Sequence, residues 1–197
     1  MVMTKALRTR QFIIEKAAPI FNQKGIAGTA ISDIMQATKL AKGGIYGNFT
    51  GKEEISTEVY NFLYDRLNTG IENVLRLKSS PKEKLFALLD YYCDKLVLSH
   101  SGGCPMLNFG VEVDDTNPAF KKRVGKGIMA SQARMRDLID AGIKNGDFNT
   151  SVNAETFAIK MFNLLEGSIL SSRVLGNNGQ MKLMTDILKE EIEKFSV

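Results

Sequence analysis

Cysteine and histidine are almost missing from this chain of 197 residues, which has two cysteines, Cys93 and Cys104, and one histidine, His100. Two thiols cannot build a disulfide framework or a thiolate zinc site, and free thiols in a reducing compartment are the expectation. A lone histidine cannot organise a metal cluster, and His100 is expected to be a solvated loop residue. No serine or cysteine has a recognisable histidine and acid arrangement around it, so catalytic residues are not expected and neither is a cofactor or metal. Long apolar runs are lacking as well. None approaches the roughly 18 residues of a membrane helix, and the opening MVMTKALRTRQ has no signal-peptide hydrophobic segment, so a cytoplasmic protein without membrane partners is expected. Alternating strand patterns, internal repeats and low-complexity stretches are absent too, which leaves an all-α fold.

What is present belongs to a globular protein, 44% hydrophobic and 24% charged. The net charge of +4 is unevenly placed: through Glu54 there are eight basic residues against four acidic, whereas the remainder holds 18 of each. All the excess positive charge therefore lies in the first quarter of the chain, where it would suit phosphate binding.

Apolar periodicity predicts about nine helices. The first spans Thr4 to Lys24, with Ile13, Ile14, Ala17, Ala18 and Phe21 on one side, and Gly25 ends it. Thr29 is placed to cap a second helix carrying Ile31, Ile34 and Met35, and a third follows from Ala41 to Asn48. Thr50-Gly51-Lys52-Glu53 fits a capping box that opens a long fourth helix ending near Lys78. Ser80-Pro81-Lys82-Glu83 opens a fifth, running to about Ser99. A sixth spans Met106 to Val113, a seventh starts at Asn117-Pro118 and closes at Gly146, Asn153 caps the eighth, and the ninth follows the turn Gly176 to Gly179. The short break at Thr38 to Leu40 forces two helices to cross sharply, the layout of a helix-turn-helix whose second member can enter a major groove.

The runs GTAISDI and GGIYGNF and the trailing GKEE, between Gly28 and Glu54, resemble the N-terminal domain of the tetracycline-repressor (TetR) family of transcriptional regulators. The resemblance covers about a quarter of the chain. It implies a helix-turn-helix DNA-binding domain over residues 1–50 and an effector-binding and dimerisation domain over 51–197. By position it assigns DNA contacts to Thr29, Lys42, Gly44, Tyr46, Asn48 and Lys52, with Thr29, Tyr46 and Lys52 directed mainly at phosphates and Lys42, Gly44 and Asn48 at the groove. The chain departs from the family pattern at Lys39, where glycine is common, at Ala41 and Gly44, where serine or threonine is common, and at Gly47, where the residue is usually bulkier. Gly43, Gly44 and Gly47 each weaken an isolated helix by roughly 0.8 to 1 kcal/mol relative to alanine, and the third helix is expected to be ordered by DNA.

The resemblance further implies a homodimer formed by the last two helices, with Leu164, Ile169, Met184, Ile187 and Leu188 as interface candidates. It also implies a small-molecule effector cavity, for which Phe62, Phe86, Tyr92, Cys104, Met106, Phe109, Met129, Met161 and Phe162 are candidates, each of them also a plausible core residue. Cys104, after a glycine pair and before Pro105, is also a candidate thiolate sensor. The implied function is a ligand-responsive repressor, binding double-stranded DNA at a near-palindromic operator and released by an inducer. Two alternatives stay open, a small-molecule-binding helical protein or enzyme, and a DNA-binding protein without an effector.

Overall fold

The computed structural model describes residues 4–97 and 102–197, so His100 lies outside the described residues, and the fifth helix, expected to run to about Ser99, ends at Lys95. Among the described residues there are nine α-helices: α1 Lys5–Gly28, α2 Ile31–Thr38, α3 Lys42–Tyr46, α4 Lys52–Leu75, α5 Pro81–Lys95, α6 Pro105–Val113, α7 Pro118–Asn145, α8 Ala154–Val174 and α9 Gly179–Lys194. The only extended pairing among them is an isolated bridge between Phe148 and Ser196. The chain divides into two compact units, one of residues 1–67 and 100–124, the other of 68–99 and 125–197. By sequence, α4 and α7 each begin in the first unit and end in the second.

The first unit is built on the apolar stripe of α1. Ile13, Ala17 and Phe21 are fully buried, and so are Ile34 of α2 and Ile45 of α3, with Phe49 close behind. Burying each large side chain contributes about 1.5–3 kcal/mol, enough to hold helices as short as α2 and α3 that would not form alone. A second, aromatic cluster joins α4, α6 and α7: the Tyr60 ring lies 5.6 Å from Phe109 and 5.5 Å from Phe120, edge to face. The Tyr60 hydroxyl finds no hydrogen-bond partner among the described residues. Burial, with smaller contributions from Tyr64 and Cys104, pushes its ionisation well above the ordinary phenol range.

Several helix boundaries differ from the sequence expectation. α1 does not stop at Lys24: Gly25, at φ 75° and ψ 176°, breaks it, and a further turn follows to Gly28. Thr29 does not cap α2, because its hydroxyl turns back to donate to the Gly25 carbonyl at 2.6 Å. The N-cap is Ala30, whose amide is taken by the Asp33 carboxylate at 3.0 Å. At α4 the acid that reaches back is Glu54, not Glu53: its Oε2 accepts from the Thr50 amide at 2.7 Å and the Thr50 hydroxyl at 2.8 Å. α4 ends at Leu75, three residues before the expected stop at Lys78. The caps at Ser80, Asn153 and Gly146 are where the sequence puts them. Ser80 and Glu83 exchange side-chain bonds to each other's backbone, Asn153 accepts from Thr156, and Gly146 takes φ 80°.

In the second unit α8 and α9 pack along their length, and α5 packs on α9. Leu85, Leu88, Leu89, Tyr92, Met161, Leu165, Ile169, Met181, Leu188 and Ile192 form its core, each no more than 1% exposed. Phe195 receives Phe148 and Phe157 edge-on, both at 5.1 Å, and closes the end of this core.

Candidate nucleic-acid interface

The turn between α2 and α3 is set by Thr38 and Lys39. The buried Thr38 hydroxyl donates to the Ile34 carbonyl at 2.7 Å and accepts from the Leu40 amide at 3.3 Å, tying the last turn of α2 to the start of the connection. Lys39 then sits in the left-handed region at φ 59°, alone among the described non-glycine residues. A β-carbon in that region costs about 1–2 kcal/mol, which is why glycine suits this position and why the lysine here carries strain.

All six sequence-assigned DNA residues lie in the first unit, in three pairs. Lys42 and Tyr46 are exposed on α3, one turn apart, with the ammonium 5.8 Å from the ring centroid. Tyr46 is 43% exposed, so it is not a core aromatic. Gly44 and Asn48 are half-buried, and the Asn48 amide donates to the Gly44 carbonyl at 2.8 Å. Thr29 and Lys52 meet at the α1–α2 junction: Lys52 Nζ donates to the Ile26 carbonyl at 2.8 Å and to that of Thr29 at 3.1 Å. Thr29 itself is 1% exposed, so in this conformation its side chain braces the junction rather than facing solvent.

Sequence reasoning missed the residue that holds α3 in place. Arg10 Nη1 donates to the Asn48 carbonyl at 2.6 Å, and Nη2 bonds Glu54 at 2.6 Å and Glu58 at 3.1 Å. The guanidinium also lies 4.2 Å over the Phe49 ring. The Thr50 amide first, then Arg10 and the Thr50 hydroxyl, hold the Glu54 carboxyl at about 2. A separation of 44 residues between Arg10 and Glu54 leaves no local sequence signal.

The effector candidates are divided between the units. Phe62, Cys104, Met106 and Phe109 fall in the first, and Phe86, Tyr92, Met129, Met161 and Phe162 in the second. Cys104, at the N-cap of α6, is fully buried, and Met106 and Phe109 are buried beside it in sequence. Phe62 is half-buried; so is Phe86, with Lys82 and Lys189 over its ring. Tyr92, Met161 and Phe162 are core residues, whereas Met129 is 70% exposed and sits on the surface of α7. A cavity of about 490 Å³ in the first unit is lined by Ile26, Ala27, Lys52, Glu53, Ser56, Glu112, Val113, Thr116, Asn117 and Phe120. Another of about 530 Å³ in the second is lined by Glu72, Leu75, Arg76, Lys84, Ala130, Ala133, Arg134, Asp137 and Leu138. Neither includes any of the nine candidates.

Of the interface candidates, Ile169 and Leu188 are fully buried within the single chain and have no surface left to bury against a second copy. Leu164, Met184 and Ile187 are half-buried. The open apolar surface of these helices is instead that of Ile159, Leu170 and Val174 on one side of α8 and Leu183 on α9. Among the described residues no cluster of metal-ligating side chains occurs, and no helix is long and apolar enough to cross a membrane.

Residues 13–59 match the family model for bacterial regulatory proteins of the tetR family, and residues 81–188, more than half of the chain, match the tetracyclin repressor-like C-terminal domain. The chain belongs to the TetR family of transcriptional regulators. A TetR-family regulator from Cytophaga hutchinsonii has a solved structure that is 33% identical, with a TM-score of 0.93 over 100% of this chain and 99% of that one. A TetR regulator from Chloroflexus aurantiacus is 32% identical with a TM-score of 0.93, covering 98% of each. The HTH-type transcriptional repressor DhaR of Mycobacterium sp. (strain GP1) is 22% identical over 93% of this chain and 91% of its own. The all-α TetR fold, with its N-terminal helix-turn-helix and helical C-terminal domain, is thus shared along the whole chain, and the matched relatives are transcriptional regulators.

Proposed function

We propose that this TetR-family regulator is a repressor that binds a near-palindromic operator as a homodimer and leaves it when a small molecule binds. In this reading residues 1–50 contact DNA, and residues 51–197 supply the effector site and the dimer contact. The observation that carries it is the short helix α3, packed from beneath through Ile45 and Phe49 while Lys42 and Tyr46 stand exposed. Lys42 and Tyr46 are the DNA contacts, Gly44 lets the helix approach closely, and Asn48, Thr29 and Lys52 hold the frame. The apolar surface of α8 and α9 supports pairing about a two-fold axis, which presents two reading helices to half-sites one DNA turn, about 34–36 Å, apart. The effector acts by population shift, favouring the conformer whose two heads mismatch that spacing, so that effector and operator weaken each other reciprocally. Selection of bound duplexes from a random pool tests this directly. Recovery of an inverted repeat with half-site centres one turn apart is the expected result, and recovery of no common sequence, or of a single asymmetric site, overturns it.

A further inference from the structure

Helix α6 lies inside the stretch matched by the C-terminal-domain model, residues 81–188, yet it folds into the same compact unit as the helix-turn-helix. Its grip falls on the break in α1. The Glu112 carboxylate accepts from the Ile26 amide at 2.8 Å through one oxygen and from the Ala27 amide at 3.0 Å through the other. Those amides are open only because Gly25 turns the backbone to φ 75° and ψ 176°, a conformation essentially confined to glycine. A β-carbon on Gly25 would lie 2.2 Å from Glu112 Oε1, so glycine is needed for the carboxylate as well as for the turn. On the opposite side of the same peptide stretch, Lys52 of α4 takes the carbonyls of Ile26 and Thr29. Residues 26–29 are therefore held by an anion at their N–H groups and a cation at their carbonyls, and α2 begins at Ile31. A second tie lies one turn earlier: Asn108 of α6 donates to the Asn22 carbonyl at 2.9 Å and Asn22 donates to the Gly103 carbonyl at 3.1 Å.

We propose that Glu112 is a positioning residue through which the C-terminal-domain sequence sets the orientation of the DNA-reading helices, by fixing the peptide that leads into α2. A displacement of α6 releases two charge-assisted bonds at once and frees the hinge on which α2 and α3 turn. The proposal rests on the operator-binding reading above. A carboxylate that merely capped a bent helix would affect stability and every mode of DNA binding together. A positioning carboxylate affects the operator alone, because random duplex is bound by charge without demanding register.

The test uses the full-length chain and the selected operator. E112Q keeps the side-chain volume but turns an N–H₂ toward one of the two amides. Operator affinity is expected to fall on the order of tenfold, about 1.4 kcal/mol, and amide exchange at Ile26 and Ala27 to rise, while random-duplex affinity and the thermal midpoint stay within twofold and about 2 °C of the parent. Gly25→Ala, which drives the carboxylate away from the other side, should show the same selective loss of operator over random-duplex affinity, with a midpoint lowered in addition by the strain a β-carbon meets at φ 75°. It also serves, with Glu112→Asp, where E112Q fails to fold. Unchanged or tighter operator binding overturns the proposal, as does a parallel loss of operator binding, random-duplex binding and thermal midpoint. A parent chain that selects no operator overturns the repressor reading itself, a result separable from failure of the variants.

Discussion

Replacing Arg10 by methionine keeps the side-chain stem and removes the charge that joins α1 to the end of α3 and the first turns of α4. Four interactions go with it. The bond to the Asn48 carbonyl at 2.6 Å has an ionised donor and is worth about 1.5 kcal/mol. The ion pairs with Glu54 and Glu58, at 2.6 and 3.1 Å, involve groups about a quarter to a third exposed and contribute roughly 0.2–1 kcal/mol each. The guanidinium face on Phe49 adds about 0.5–1 kcal/mol. Water recovers part of this at a partly exposed site, so a net loss of about 2–3 kcal/mol is expected, equivalent to about 5–10 °C in midpoint for a chain of this size. Urea unfolding at fixed protein concentration measures it.

The pH dependence supplies an internal check on the same site. Glu54 falls from an ordinary 4.5 to about 2 in the folded chain, so its contribution is fully present above about 4.5 and is lost as pH falls from there toward 2. Thr50 still donates to Glu54 in R10M, so the depression shrinks without vanishing, and the stability gap between parent and R10M narrows between pH 7 and 3. In an E54Q background that narrowing disappears. A loss below about 0.5 kcal/mol at pH 7, or a gap constant down to pH 3, would refute the account of Arg10 as the brace of α3.

Two further outcomes follow from exposed surfaces. Lys42→Ala should cost operator affinity beyond its effect on random duplex and reduce the slope of log affinity against log salt by up to about 1, whereas Tyr46→Ala, as an uncharged phosphate contact, should weaken operator and random duplex alike with little change in slope; a filter-binding salt series separates them. Leu170→Glu with Val174→Glu should convert a dimer to a monomer in sedimentation without lowering far-UV helicity, since neither side chain is in the core, while an unaltered dimer would move the interface elsewhere.

Helices were legible in the sequence wherever the determinant is local. Ser80 and Glu83, Asn153 and Thr156, and Gly146 act within one turn of the boundary they set, so a capping pattern names them. The same logic misassigned Thr29 and Glu53 because a backward-lying or one-residue-shifted partner won: the Gly25 carbonyl, four residues back, captures the Thr29 hydroxyl, and Glu54 is the acid that Arg10 can also reach. Periodicity marked Ile169 and Leu188 as apolar, but it cannot tell a stripe facing the protomer's own core from one facing a partner. The Glu112 grip on Ile26 joins residues 86 apart, and its one sequence trace is Gly25, which reads equally as an ordinary helix stop.

The composition of the reading helix acquires a physical meaning once the frame around it is known. Gly43 has open space where a β-carbon would stand, so nothing in the packing demands a glycine there. Asn48 spends its amide on Gly44 and Lys52 its ammonium on the α1–α2 junction, which leaves Lys42 and Tyr46 as the polar side chains that α3 presents. A lysine and a tyrosine can position a helix on phosphates, but two side chains read few base edges. In the proposed dimer, discrimination between operators would then come from half-site spacing and from the deformability of the DNA between the heads. That places the burden of specificity on the orientation of α2 and α3, the quantity that Arg10 fixes from beneath and Glu112 holds at the entrance to α2.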